Sequence, residues 1–231
     1  FEYLQSFSRH DLHGFLTHRP EGSDGGTDAL TTAHLGLVCL HFGEVERARR
    51  AGHLLAHLLS IQPDLNEGFL LRLDGSGRLV RDVPGGAAAF YVVSRREPDQ
   101  AYFMIGYPMG FLAKLSQATG EDAHLQAARG YLEFALGCGD KLRSSHFSHK
   151  VAWAAAVLAR ITGDERCLEL STAIADHLLG IQDPSGAWLA DQPVHTVFDQ
   201  TAEIAIWLQE ISAELNGRSL EEVRAGTLAG C

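Results

Sequence analysis

Two histidines, His146 and His149, have the spacing of a candidate acid/base pair. They lie three residues apart, just before a strongly apolar stretch of the chain. Residues i and i+3 share one face of a helix, so both imidazoles would point the same way. Because a neutral imidazole can accept or donate a proton near pH 7, we predict that both are catalytic. In the structural alternative, Ser145 caps the helix and both histidines fill polar positions near its end.

Two carboxylates, Asp199 and Glu203, lie one helical turn apart and form a second candidate pair. Paired carboxylates supply the acid and the base in reactions on glycosides and on epimerisable carbons. Tyr107 could donate a proton or orient a carbonyl, so we predict catalytic roles for all three side chains. In the structural alternative, Asp199 caps its helix and Glu203 pairs with a cation across the molecule. Tyr107 would then be rim packing with a wetted hydroxyl.

Further polar and aromatic residues are candidate substrate-binding groups. They are Asp28, His34, Tyr102, Trp153, Trp188 and His195. We predict no metal site, because the i, i+4 pair His53 and His57 lacks the glutamate of the zincin motif and fits an exposed helix face better. We also predict no cofactor, since the glycines at 75, 77, 85 and 86 are not set between a strand and a helix as a phosphate-binding loop requires.

The elements that must position these residues are helices. Hydrophobic periodicity predicts them over 27–43, 44–61, 100–119, 121–137, 146–162, 165–181, 198–215 and 219–228. Three tight joints contain Gly43, Gly120 or Gly163 followed by an acidic residue, which is typical of antiparallel helical hairpins. The segment 69–80 instead predicts one β-hairpin, inserted between two helices around an Asp-Gly-Ser-Gly turn.

The two helices of a pair differ in composition. The first is apolar and rich in small residues, as in 151–158, which indicates burial on most sides. The second is amphipathic, as in 44–60, which indicates a helix facing water. An inner ring of helices surrounded by an outer ring accounts for both compositions. The candidate residues would then lie at the starts of the inner helices, on one concave face towards which helix N-termini point.

A short motif follows several of the predicted helices. Gln182, Gly186 and Trp188 form the fullest copy, and related copies begin at Gln62 and Gln5 with phenylalanine in place of tryptophan. This repeat resembles that of the α/α-toroid superfamily, which includes terpenoid cyclases, protein prenyltransferases and carbohydrate-active α/α barrels. The resemblance implies an all-α fold: one α/α-toroid domain over 1–231, open or incomplete, in which the glutamine joins an outer helix to the neighbouring turn.

The resemblance does not extend to the catalytic motifs of these families. The chain has no Asp-x-Asp-Asp motif, no aspartate-rich helix, no clear zinc ligand set and no paired Cys-His signature. Four hairpins are also fewer than a closed ring requires. The sequence begins within a repeat, so we expect either upstream hairpins or a homodimer or partner chain that covers the open edge.

The leading functional hypothesis is a metal-free enzyme that isomerises, cyclises or eliminates by acid/base catalysis. The apolar inner wall, with Trp153, Phe111 and Trp207, favours a small isoprenoid or polyketide-like substrate. The first alternative is a carbohydrate-active epimerase, lyase or hydrolase with Trp188 or Tyr107 as a sugar platform. The second alternative is a non-catalytic binding module. A cavity lined by many polar side chains would favour the sugar, and a dry aromatic cage the apolar substrate.

Composition limits the partners of the chain. The net charge of −10 argues against nucleic acid and anionic membrane surfaces, which attract clusters of lysine and arginine. The longest apolar run, 151–159, is too short to span a bilayer. We find no signal peptide, and the scattered cysteines at 39, 138, 167 and 231 favour reduced thiols. We therefore expect a cytoplasmic protein that acts on a small molecule.

Overall fold

The computed structural model describes residues 2–9, 14–16, 25–83 and 86–217, and this part of the chain is mostly helical. Its helices are α1 (Glu2–Gln5), α2 (Ala29–His41), α3 (Val45–Ser60), α4 (Phe103–Thr119), α5 (Asp122–Gly137), α6 (Asp140–Arg143), α7 (His149–Thr162), α8 (Glu165–Gly180) and α9 (Val194–Leu215). The helix predicted over 219–228 lies outside the described residues. The predominantly helical composition is confirmed.

Four helices pack side by side in the order α2, α4, α7, α9, and they carry much of the buried core. Each of the first three is followed directly by a helix that packs against it: α3 against α2, α5 against α4, and α8 against α7. The apolar helices α4 and α7 are the most buried, and the amphipathic helices cover them. This is the pairing of apolar and amphipathic helices that the sequence predicts.

Glycine ends the first helix of each pair. Gly43, Gly120 and Gly163 have φ values of 74°, 72° and 68°, in the left-handed region that other residues enter at a cost. The backbone N–H of Gly120 donates to the Ser116 carbonyl, and that of Gly163 donates to the Ala159 carbonyl. These caps turn the chain sharply into the next helix, and the three predicted joints are confirmed.

Two glycines of α4 allow the buried helices to approach closely. A Cβ atom at Gly106 would lie 2.5 Å from the Lys150 carbonyl carbon and 2.6 Å from the Val151 nitrogen, both in the backbone of α7. A Cβ atom at Gly110 would lie 2.2 Å from the Trp153 ring. Because backbone cannot move aside as a side-chain tip can, Gly106 fixes the spacing of α4 and α7 at the level of Lys150.

The strands form a different arrangement from the one predicted. They are β1 (Ser8–Arg9), β2 (Gly14–Phe15), β3 (Thr27–Asp28), β4 (Gly68–Leu70), β5 (Arg72–Leu73) and β6 (Val92–Ser94). All pairings are antiparallel, β1 with β2, β3 with β5, and β4 with β6. The predicted turn is present, since the Asp74 N–H donates to the Arg78 carbonyl. The predicted hairpin is present in part, because Leu73 bridges Leu79 and the Val80 N–H donates to the Arg72 carbonyl. The sequence did not predict that β5 also pairs with β3 and that β4 pairs with β6.

The glutamine motif joins a helix end to the next element. Gln62 Nε2 donates to the carbonyls of Leu58 and Leu70, each at 2.9 Å, and the Leu70 N–H donates to Gln62 Oε1 at 2.8 Å. In the second copy, Trp188 Nε1 donates to the Leu178 carbonyl at 2.7 Å. Both copies therefore fasten the chain leaving an outer helix back onto that helix or the following strand.

Three helices begin three or four residues from their predicted starts, and α4, predicted from residue 100, begins at Phe103. The helix predicted from residue 146 begins at His149, because His146–Ser148 form a 3-10 turn whose cap is Ser145. The helix predicted from residue 198 begins at Val194, directly after Pro193. Proline suits the start of a helix because it lacks an N–H that would be unsatisfied there. Asp199 therefore lies in the second turn and is not the helix cap.

One edge of the helix row is apolar and exposed. Val194, Phe198 and Ile206 recur at helical spacing along α9, and Phe198 is 73% exposed. This is the last helix of the row in the described residues, and the open edge of a ring stays a prediction. No described helix combines the length and the apolar character that crossing a bilayer requires.

Candidate functional site

Lys150 lies at the centre of a group of ionisable side chains drawn from two helices. It occupies the first turn of α7, and only 8% of its side chain is exposed. Its ammonium group donates to Glu203 Oε2 on α9 and lies 2.7 Å from His149 Nε2. Burial lowers the pKa of Lys150, and the hydrogen bond and charge of Glu203 oppose this effect. The lysine is thus a buried cation with one carboxylate and one imidazole as partners.

The tautomer of His149 follows from its two neighbours. Nδ1 lies 2.6 Å from the His146 carbonyl, which can only accept, so Nδ1 carries the proton. Nε2 is then a lone pair that accepts from the Lys150 ammonium. Burial and the charge of Lys150 both lower the pKa of His149. The imidazole is therefore neutral at pH 7 and can receive a proton.

Glu203 is held from two sides on one oxygen. Besides Lys150, the Trp207 indole N–H donates to Oε2 at 3.0 Å, and His149 Nε2 lies 3.6 Å from the same oxygen. Burial tends to raise the pKa of Glu203, but the hydrogen bond and charge of Lys150 outweigh it and the net pKa is lowered. Because these contacts all use Oε2, Oε1 is the oxygen left for a substrate.

Aromatic rings surround the Lys150 ammonium. It lies 5.6 Å from the ring centroids of Phe103, Tyr107 and Trp207. Rings at this distance attract a cation through the negative charge of their faces.

A pocket of about 230 Å³ opens beside this group. Its lining residues are Phe103, Phe147, His149, Lys150, Asp199, Gln200 and Glu203. Five of these seven described residues are polar or charged and two are phenylalanines, and much of the surface they expose to the pocket is apolar. The ionisable group is thus accessible to a small molecule.

His34 and Tyr107 extend the site behind Lys150. Their rings meet edge to face with centroids 3.8 Å apart. Burial and then the charge of Lys150 lower the pKa of His34 to about 4. Burial and then the charge of Glu203 raise the pKa of Tyr107. Both side chains are therefore neutral at pH 7, and the predicted residues His34, Tyr107, His149 and Glu203 come together around Lys150.

Three predicted residues lie at the margin of this group or away from it. Asp199 is exposed at the pocket rim, where it accepts a hydrogen bond from the Gln200 side chain at 2.8 Å. His146 stacks against Phe147 and is not part of the pocket lining. His195 is exposed in the first turn of α9.

The remaining predicted residues have structural contacts. Asp28 caps α2 by accepting from the Thr31 N–H at 2.6 Å. Tyr102 is fully buried before α4, and its hydroxyl donates to the Glu97 carbonyl. Trp188 is buried, and its indole N–H donates to the Leu178 carbonyl of α8. Trp153 lies one layer behind the site, with its ring centroid 5.1 Å from that of Trp207.

Lys150 was not among the predicted site residues. Its signal was available: a lysine in the first turn of an otherwise apolar helix is rarely buried without a partner. The cation expected across the molecule from Glu203 in the structural alternative is this lysine. The ion pair is therefore present, and it lines the pocket.

Comparison with protein-family models, with curated proteins and with solved structures finds no match to this chain.

Proposed function

We propose that the chain is an acid/base enzyme whose reacting groups are Glu203, Lys150 and His149. One observation carries the proposal: a buried ammonium group contacts a carboxylate and a neutral imidazole at the wall of an accessible pocket. Ion pairs that only stabilise a fold have no need of a neutral base beside them. Here the imidazole offers its lone pair to the lysine, so a proton can be passed among three groups.

The chemistry follows from the charges. Glu203 is ionised and can remove a proton from a substrate carbon through Oε1. Lys150 can stabilise the negative charge that develops on a neighbouring oxygen, and in a pocket lined by aromatic rings this stabilisation is stronger than in water. His149 can accept a proton from Lys150 because its unprotonated Nε2 already faces that ammonium. This set suits isomerisation, epimerisation or elimination next to a carbonyl or carboxylate.

The pocket lining combines charged and polar groups with apolar surface. Five polar side chains line the pocket, and the aromatic rings behind them are occupied by the Lys150 ammonium. We therefore place a small oxygenated compound ahead of the isoprenoid or polyketide-like substrate favoured by the sequence. A carbohydrate-active epimerase or lyase is the specific second candidate, since sugars combine hydroxyl groups with the apolar faces that Phe103 and Phe147 could contact.

The packing order of the helices supports an open α/α toroid as the scaffold. The row α2, α4, α7, α9 is covered by α3, α5 and α8. The site residues lie on all four helices of the row: His34 on α2, Tyr107 on α4, Lys150 on α7 and Glu203 on α9. A concave row of helices explains how residues so far apart in sequence meet at one pocket.

Deuterium exchange tests this proposal even though the substrate is not identified. The full chain is incubated in D₂O with a panel of ketoses, uronic acids, hydroxy ketones and 2-oxo acids. Proton NMR then follows exchange at the carbon next to the carbonyl or carboxylate. We expect catalysed exchange with at least one compound class, and a loss of about 10²-fold or more in Glu203→Gln.

Paired variants locate the activity. His149→Gln should lower the exchange rate, and His146→Gln, three residues away and outside the group, should leave it unchanged. Absence of exchange across the panel, or full exchange by Glu203→Gln, would contradict the proposal. Saturable binding of a panel compound with no exchange would identify the binding module instead.

A further inference from the structure

Three potential metal ligands meet on the outer helices. His53 lies in the middle of α3, Glu121 at the joint between α4 and α5, and His124 in the first turn of α5. Each offers one ligand atom, and the three atoms all lie within 4.8 Å of one another. The spacing of Glu121 and His124 places both on one face at the helix start, and His53 reaches them from the neighbouring helix.

His124 is buried without hydrogen bonds to the described part of the chain. Its side chain is 1% exposed, and neither ring nitrogen has a hydrogen-bond partner among the described residues. Nε2 lies 3.1 Å from Glu121 Oε2 without the alignment of a hydrogen bond. Buried polar atoms are nearly always satisfied, so an imidazole without an aligned hydrogen bond, beside a carboxylate and a second imidazole, is placed to bind a ligand.

The surroundings are shaped to hold this ring. A Cβ atom at Gly52 would lie 3.1 Å from both Cε1 and Nδ1 of His124, so the bare glycine lets the imidazole lie against α3. On the other side, Arg49 Nε donates to Glu121 Oε1 at 2.6 Å. The guanidinium orients the carboxylate and leaves Oε2 facing the histidines, which is how metal-binding carboxylates are commonly supported.

We propose that His53, Glu121 and His124 bind Zn²⁺. Zinc accepts imidazole nitrogen and carboxylate oxygen at about 2.0–2.2 Å, which places two ligand atoms of a tetrahedral site roughly 3.3 Å apart. The 3.1 Å between His124 Nε2 and Glu121 Oε2 is close to this value. Two nitrogen ligands disfavour Mg²⁺ and Ca²⁺, which prefer oxygen. With three protein ligands, the fourth position is open to water, and His53 is exposed at that side.

A bound Zn²⁺ would cross-link two of the outer helices. Zn²⁺ would join α3 to α5 in addition to the contacts they already make. A metal that binds only the folded chain stabilises it, so the melting temperature should rise with the Zn²⁺ concentration. The site uses none of the residues of the proposed proton-transfer group, so the two proposals stand or fall separately.

Isothermal titration of Zn²⁺ into the chelator-treated full chain tests the site. We expect one ion per chain and a melting temperature that rises with Zn²⁺. His53→Ala should weaken the affinity by more than about tenfold, because it removes a ligand. His57→Ala is the matched control, since it removes an exposed histidine one turn further along the same helix and should leave the affinity unchanged.

Because His53 and His57 are both exposed, neither variant should alter the melting temperature measured in chelator. Glu121→Gln provides a second reduction in affinity that does not depend on histidine. The proposal is overturned if the wild-type chain shows no saturable Zn²⁺ binding. It is equally overturned if His57→Ala weakens binding as much as His53→Ala does, because the metal would then be held by surface histidines in general.

Discussion

Lys150 and Glu203 are buried to different extents, so the loss of each partner has a different cost. The Lys150 side chain is 8% exposed and that of Glu203 is 39% exposed. Glu203→Gln leaves a buried ammonium without its counterion, whereas Lys150→Met leaves a carboxylate that water can reach. We expect Glu203→Gln to destabilise the chain by about 2–4 kcal/mol at pH 7 and Lys150→Met by less. Urea denaturation of both variants measures the difference.

A pH series sharpens this prediction. Without Glu203, the folded-state pKa of Lys150 falls further below its unfolded value. An amine with a depressed folded pKa contributes stability that is lost as pH falls and regained as pH rises. The deficit of Glu203→Gln should therefore shrink between pH 7 and pH 9. A deficit that is constant with pH, or one smaller than that of Lys150→Met, would show that the pair is not the buried contact described above.

His149 makes the chain sensitive to acid. Its pKa is lowered on folding, so the unfolded chain binds a proton first as pH falls below about 6.5. The free energy of unfolding therefore decreases on acidification, by about 1.4 kcal/mol for each pH unit per imidazole while the folded state stays unprotonated. His34, with a pKa of about 4, adds a contribution of the same sign.

We therefore expect the free energy of unfolding to decrease between pH 6.5 and pH 5, and His149→Gln to reduce the slope. Denaturant midpoints at several pH values measure this, with the exposed His57→Gln in parallel as a control outside the group. If the slope were unchanged in His149→Gln, it would show that folding does not lower the pKa of this imidazole.

At the residue scale, the sequence predicted part of the site. His149, Glu203, Tyr107 and His34 were identified because they are ionisable residues near the starts of apolar helices. Spacing along one helix did not indicate that His149 would line the pocket while His146 would not. The decisive partner Lys150 contacts Glu203 across two helices, and such contacts leave no spacing signal in a single sequence.

The approach of α4 to α7 is the element-scale feature on which the site depends. Gly106 lies against the backbone of Lys150 and Val151, so Gly106→Ala must push the helices apart or distort one of them. We expect a loss of about 1–3 kcal/mol in stability together with a displaced Lys150. Thermal and urea unfolding measure the first effect, and the deuterium exchange rate measures the second.

Gly180 is the matched control for this substitution. It is the last residue of α8, and a Cβ atom there would meet no atom of the described chain within 4 Å. Gly180→Ala should therefore be neutral or slightly stabilising, since alanine favours the helix. If Gly106→Ala lowered the stability no more than Gly180→Ala does, the result would contradict the close approach of α4 to α7.

Elements with strong periodicity were predictable, and long-range pairings were not. The helices and the three glycine joints follow from local patterns, which explains their agreement with the structure. The strand β5 bonds to β3, and β4 bonds to β6, about 20 or more residues away along the chain. A turn such as Asp-Gly-Ser-Gly predicts the reversal of the chain but not which strand each neighbour finally joins.

At the scale of the whole molecule, a second ionic cluster joins the helix row. Glu214 on α9 accepts from Lys114 on α4 and from Arg160 on α7, each at 2.7 Å. The Glu214 side chain is 7% exposed, and each cation is 32% exposed. One buried carboxylate thus connects three of the four helices in the row.

Glu214→Gln should loosen this connection. The charge that pairs with two cations is lost, but both cations remain partly hydrated, so we expect a cost of about 1–3 kcal/mol. Glu169→Gln, an exposed carboxylate on α8, should change stability by less than about 0.5 kcal/mol. Equal effects of the two substitutions in urea denaturation would contradict the role of Glu214.

A ring of helical pairs stays a prediction at the scale of the whole molecule. The repeated glutamine motif indicated helical pairs and a direction of packing, and both agree with the contacts of Gln62 and Trp188. It did not indicate how many pairs are needed to complete a ring. That number depends on packing angles between helices, which a sequence pattern does not encode. A homodimer or a partner chain over the exposed edge of α9 stays a prediction.

Lys150, His149 and Glu203 are proposed to share protons as one coupled group, and NMR titration of the labelled chain tests this most directly. We expect a neutral His149 with its proton on Nδ1 at pH 7, and a Lys150 resonance that shifts when Glu203 is replaced by glutamine. A His149 that is protonated at pH 7, or a Lys150 resonance indifferent to Glu203→Gln, would contradict the coupled group.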